Sequence, residues 1–139
     1  MAGFLKIWMQ LAMKKILAIL FVFLFAGSFG NADIFDDIAN SLRSGDARAV
    51  SRFFGNTVDL TIINQEEVYS KMQAEQILRD FFSKNTPRSF NIIHQGVKEG
   101  ARYAIGNLTT TQGVVFRTYF FVKTQSGNSM IQELRFMKE

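Results

Sequence analysis

His94 is the only histidine in this chain of 139 residues. An imidazole titrates near neutral pH and can act as a general base. A base normally works against an orienting partner, and Asp59 and Asp80 are the candidate carboxylates. Helical spacing puts Asp80 off the apolar face of its segment, toward solvent. Asp59 alternates with Val58, Leu60 and Ile62 and falls on the polar side of its strand. Without such a partner His94 reads as a hydrogen-bonded structural residue on a strand, sharing a face with Phe90 and Ile92. Tyr69, Tyr103 and Tyr119 each offer an apolar ring and one hydroxyl, which suits a pocket wall. Gln132 lies between Met130 and Leu134 on a face that ends at Phe136, so it reads as an inward polar group in need of a partner. His94, Tyr69, Tyr103, Tyr119 and Gln132 are the ligand-binding candidates. No catalytic set is assigned.

The chain has no cysteine, which removes disulfides, thiolate metal sites and a cysteine nucleophile. One histidine without cysteine argues against zinc, and no metal or cofactor is expected. Three of the 16 basic residues, Lys6, Lys14 and Lys15, precede Asp33. That leaves 13 Lys and Arg against 12 Asp and Glu from Asp33 onward. A domain this close to neutral lacks the basic footprint of a nucleic-acid binder.

The elements that must position these residues begin after an N-terminal leader. Met13-Lys14-Lys15 followed by ILAILFVFLFAGSFG has the charged and apolar regions of a secretory signal peptide. Gly30-Asn31-Ala32 supplies the small residues of a cleavage site. Residues 1–32 are therefore expected to be a signal peptide, with Met13 as start and cleavage after Ala32. The apolar run is short for a membrane span. Residues 33–139 then form a single domain, exported to the periplasm or beyond.

From Asp33 the period is helical, with Ile34, Phe35, Ile38, Ala39 and Leu42 in one arc and Gly45 as the stop. Asp46 caps a second helix over Ala47–Phe54. Thr57–Asn64 reads as a strand, Asn64-Gln65-Glu66 as a turn, and Glu67–Tyr69 as the return strand. Ser70 and Gln73 have capping-box spacing ahead of Ala74, Ile77, Leu78, Phe81 and Phe82. Asn85 is the expected left-handed cap, and Pro87 stops the helix. Four strands follow, Ser89–Val97, Arg102–Thr110, Val114–Thr124 and Ser129–Met137, separated by glycine turns. Gly106 inside the second marks a bulge or bend. The fold class is α+β in the order α-α-β-β-α-β-β-β-β. N-terminal helices pack on a curved antiparallel sheet to make a half-open cone.

The runs SLRSGDARAVSRFF, VDLTI, VYSKMQAEQILRDFFSKN, YAIGNL and IQELRF carry a resemblance over nearly all of Asp33 to Lys138. The domain resembles the cystatin-like cone of the nuclear-transport-factor-2-like superfamily. More narrowly, it is similar to a family of small exported bacterial proteins, domain of unknown function 4783. The resemblance implies fold and export and carries no catalytic motif.

In VVFRTYFFV, residues 114–122, both strand faces carry aromatics. Such a strand needs cover on both sides. Helices would cover one, and a second copy packed sheet to sheet would cover the other, giving a homodimer. Asn107-Leu108-Thr109 matches a glycosylation sequon by chance. The leading functional reading is an exported, non-enzymatic binding or interaction module. It would hold a small apolar ligand in the cone or a protein partner on the sheet. The alternatives are a small cone-pocket enzyme of the isomerase, dehydratase or hydrolase type with His94 as base, and an accessory subunit of an envelope complex.

Overall fold

The structure is a computed structural model that describes residues 2–25 and 33–139. The chain divides into two units, residues 1–32 and 33–139. In the first, helix α1 (Ala2–Phe25) carries Lys6, Lys14 and Lys15 within its length. No helix among the described residues is long and apolar enough to cross a membrane. The expected cleavage point lies outside the described residues.

The second unit opens with α2 (Ile34–Ser44), whose N-cap Asp33 accepts a hydrogen bond from the Phe35 backbone at 3.3 Å. Arg102 pairs both guanidinium nitrogens with that carboxylate, at 2.9 and 3.1 Å, and stacks over the Phe35 ring. This ties the start of the domain to its sheet. Helix α3 (Ala47–Ser51) is shorter than its periodicity implies. The sheet captures the next residues instead: Ile131 donates to the Phe53 carbonyl at 2.7 Å, and Phe54 opens strand β1 (Phe54–Ile62). Strand pairing thus wins over one more helical turn.

Strand β2 (Gln65–Ser70) returns after a turn at Ile63 and Asn64, tighter than the expected Asn64–Glu66 turn. Ile63 has φ of +59°, a strained value for a β-branched residue. Its N–H is held by the Phe136 carbonyl at 2.7 Å. Helix α4 (Lys71–Lys84) follows with the full capping box of Ser70 and Gln73, both bonds 3.2 Å. Asn85 ends it differently from expectation, at φ −132°, by donating its side-chain amide to the Phe81 carbonyl.

Strands β3 (Pro87–Lys98), β4 (Ala101–Thr110), β5 (Val115–Gln125) and β6 (Asn128–Lys138) form the expected antiparallel meander. The six strands lie in one open sheet in the order β2-β1-β6-β5-β4-β3. The β1–β6 ladder alone is parallel. Bulges interrupt three ladders and bend the sheet. Gly106 sits where expected, though the extra residue, Ile93, is on the partner strand β3.

Helices α2, α3 and α4 cover one face. Between them and the sheet lie Phe35, Phe90, Phe116, Phe120, Leu134 and Phe136, all buried. Phe81 packs on Phe116 and Phe136 with ring centroids 5.2 and 4.8 Å apart. The interior of the cone is therefore side chain.

Candidate functional site

A filled interior turns attention to the opposite, outer face of the sheet. Register places two rows of side chains across it. One runs His94, Ile105, Tyr119, Arg135, Thr61, Glu66 from β3 to β2. The next runs Gly96, Tyr103, Phe121, Glu133, Asp59, Val68. His94 reaches this face because of the bulge. Phe90 faces the helices, the extra residue Ile93 shifts the alternation, and His94 comes out exposed. The shared face expected for His94, Phe90 and Ile92 is thus corrected by one inserted residue.

His94 Nε2 lies 3.2 Å from the Tyr103 hydroxyl. The Tyr103 ring lies across Gly96, where any Cβ would fall 2.5 Å from the hydroxyl oxygen. Tyr103 and Tyr119 stand with ring centroids 5.9 Å apart, and the Arg135 guanidinium lies 5.9 Å from the Tyr119 centroid. Burial, and then the Glu133 carboxylate, push the Tyr119 hydroxyl above the usual phenol range, against an opposing pull from Arg135. Tyr119 therefore stays a neutral donor throughout the physiological range. A groove of about 410 Å³ runs over Ile105, Tyr119, Glu133, Arg135 and Met137. A second of about 320 Å³ over Tyr103 and Tyr119 shares Lys98 with it.

Five polar side-chain atoms among the described residues are buried without a hydrogen-bond partner: Asp59 Oδ1, Thr61 Oγ1, Asn107 Oδ1, Glu133 Oε1 and Arg135 Nε. All five belong to outer-face positions. Glu133 Oε1 does touch Arg135 Nη2 as an ion pair, in a geometry that is not a hydrogen bond. Thr61 is only 8% exposed.

The other candidates separate from this cluster. Tyr69 pairs with Val58 on the helix side of the hairpin. It lines a groove of about 480 Å³ with Ile62, Ile77 and Phe81. Gln132 is exposed, not inward, because it is the extra residue of the β6 bulge while Ile131, Leu134 and Phe136 fill the core. Asp59 is on the outer face, and Asp80 pairs with Lys84 at 3.0 Å in solvent. Neither carboxylate makes a hydrogen bond to His94. Thr61 shares the outer face with Asp59, and sequence reasoning missed Asn107, Glu133 and Arg135. The signal for the last two was their alternation with Leu134 and Phe136 on β6. No group of three metal-ligating side chains occurs among the described residues.

An open, bent six-stranded sheet with helices on one face defines the nuclear-transport-factor-2-like fold. A protein of that description from Shewanella baltica superposes with a TM-score of 0.57 at 11% identity, covering 76% of this chain and 88% of its own. Within that class the chain belongs to the family described as domain of unknown function DUF4783, whose profile matches residues 35–137. A family member from Bacteroides fragilis is 30% identical with a TM-score of 0.69, over 74% of this chain and 96% of that one. One from Bacteroides uniformis is 27% identical with a TM-score of 0.71, over 77% and 98%. No curated protein matches the chain.

Proposed function

We propose that this protein is an exported, non-enzymatic interaction module. Its working surface is the outer face of the sheet, and a second copy of the chain covers that face. The observation that carries the reading is a set of buried polar atoms without a hydrogen-bond partner on that face, Asp59 Oδ1, Thr61 Oγ1, Asn107 Oδ1 and Arg135 Nε, with Glu133 Oε1 held only by its ion pair to Arg135. Leaving such an atom unpaired costs about 1–3 kcal/mol, so a surface holding several gains by acquiring a partner. Tyr103, Ile105, Tyr119, Phe121 and Met137 supply apolar area beside them.

Charge favours a second copy as the occupant. Asp59 and Glu66 lie on β1 and β2, while His94 and Lys98 lie on β3 at the other side of the sheet. A two-fold axis along the central strands sets one copy's β1 and β2 over the other's β3 and β4, acid against base. Export is inferred from Lys14-Lys15 and the apolar run that follows. The small-ligand alternative moves from the packed cone to the outer groove. The enzyme alternative has little behind it, since His94 is exposed and its hydrogen bond goes to Tyr103 rather than to a carboxylate.

Light scattering on the processed protein at micromolar concentration tests the reading. The expected mass is twice that of the chain, falling to one chain in Tyr119→Lys with an unchanged far-ultraviolet spectrum. A monomeric wild type, or a dimer indifferent to Tyr119→Lys, overturns it.

A further inference from the structure

The parallel β1–β6 ladder is broken in an asymmetric way. Phe54 pairs with Ile131, and the next pairing is Asp59 with Glu133. Four residues of β1, Gly55 to Val58, therefore stand against one residue of β6, Gln132. The β5–β6 ladder has its irregularity at the same place, since Phe121 pairs with Glu133 and Val122 with Ile131. The surplus of β1 makes a groove of about 580 Å³ at this end of the sheet. Bulges commonly re-aim a side chain, and here Gln132 becomes a wall of the groove.

Three cations line the groove from three separate elements. Arg52 follows α3, Lys71 is the first residue of α4, and Lys123 lies near the end of β5. No acidic side chain lines it. Among the described residues none of the three makes an ion pair, whereas Arg79, Lys84, Arg102, Arg117 and Arg135 all do. Asn56 and Gln132 add amide donors, and Ser129 adds a hydroxyl. Like charges gathered without counter-charges repel, and that repulsion is relieved by an anion.

We propose that this groove is a binding site for a multiply charged tetrahedral oxyanion, the phosphate or sulfate groups of a ligand. Donors arriving from the end of one helix, the start of another and a strand suit an acceptor with oxygens pointing in several directions. A single planar carboxylate is met better by one arginine fork. The domain's near-neutral total charge conceals this local concentration. The inference is independent of the outer-face reading, because its residues sit at the broken ladder and include none of the unpartnered outer-face residues.

Calorimetric titration of the processed protein with inorganic pyrophosphate at low salt is the test. A second arm measures co-sedimentation with vesicles of phosphatidic acid, whose headgroup is a phosphomonoester, in phosphatidylcholine. Saturable binding of pyrophosphate assigns the site to free phosphate groups, and binding of vesicles alone assigns it to lipid headgroups. Either supports the proposal if Arg52→Gln, Lys71→Gln and Lys123→Gln each weaken it by about tenfold, the scale of one charge-assisted contact. Arg88→Gln removes the same charge from an exposed site outside the groove and should change binding little. All four positions are polar surface sites, so folding is checked by melting temperature alone. Binding of neither probe, or an equal loss in Arg88→Gln, overturns the assignment.

Discussion

Replacing Gly106 with alanine should destabilise the domain far more than the same change at Gly96, although both lie inside strands. At Gly106 an added Cβ would fall 2.5 Å from Phe90 Cζ and 2.7 Å from the Asn91 carbonyl oxygen. Phe90 is fully buried beneath α2, and Asn91 is backbone of a strand paired to β4. Neither can step aside without moving β3. Overpacking of this kind costs about 1–3 kcal/mol. At roughly 4–8 °C per kcal/mol for a domain near this size, the melting temperature should drop by about 4–24 °C. At Gly96 the clash is with the Tyr103 ring, 2.5 Å from its hydroxyl oxygen. That ring is half-exposed and can swing away, and alanine is better tolerated in a strand than glycine. The net change there should stay within about 1 kcal/mol, as for most surface substitutions. What Gly96→Ala loses is the His94–Tyr103 hydrogen bond, visible as a shift of the His94 ring resonances by NMR. Thermal and urea unfolding followed by far-ultraviolet dichroism measure both variants. Equal losses, or a Gly106→Ala variant within about 2 °C of wild type, would refute the packing argument.

Three further outcomes are expected. Arg102 holds the Asp33 carboxyl below the usual carboxylate range, with the Phe35 backbone hydrogen bond acting in the same direction. A carboxylate with a lowered folded-state pKa stabilises above its unfolded pKa, here 3.8, and that contribution is lost as pH falls through the folded value. Asp33→Asn keeps an N-cap and removes the charge, so stability below about pH 4 should depend less on pH, read by urea midpoints between acid and neutral buffers. The pair is half-exposed, so the effect at neutral pH should be small. Ser70→Ala breaks the capping box of α4 and should cost about 1 kcal/mol in a urea titration. Amino-terminal sequencing of the exported protein should begin at Asp33, and a product retaining Phe21 would show that the leader is not removed there.

Most of the fold could be read from local patterns. The capping box at Ser70, the stop at Gly45 and the glycine turns between the last four strands each have a short-range cause, and each stands where it was expected. The errors come from long-range pairing. Residues 52–54 look helical by period, yet Phe53 and Phe54 are taken by β6, some 77 residues away in sequence. The parallel β1–β6 ladder left no trace in either strand alone. Nothing in Ile63 announced a left-handed residue, because Asn64 beside it is the better candidate on intrinsic preference.

The candidate site was harder to read because the residues with chemistry sit at or opposite bulges. Alternation predicts a face only while the two partner strands advance residue for residue, and one inserted residue reverses it. Ile93 reverses it before His94, and Gln132 is itself the insertion, so both were assigned to the interior and both are outside. Composition could have tempered that assignment. Ten of the 15 phenylalanines follow Asp33, and eight of those ten are buried. That much aromatic volume under three short helices fills the space between the helices and the sheet. With the large side chains spent on the covered face, the polar groups without partners are left in two places, the uncovered face and the gap in the β1–β6 ladder, where the unpartnered atoms and the unpaired cations lie.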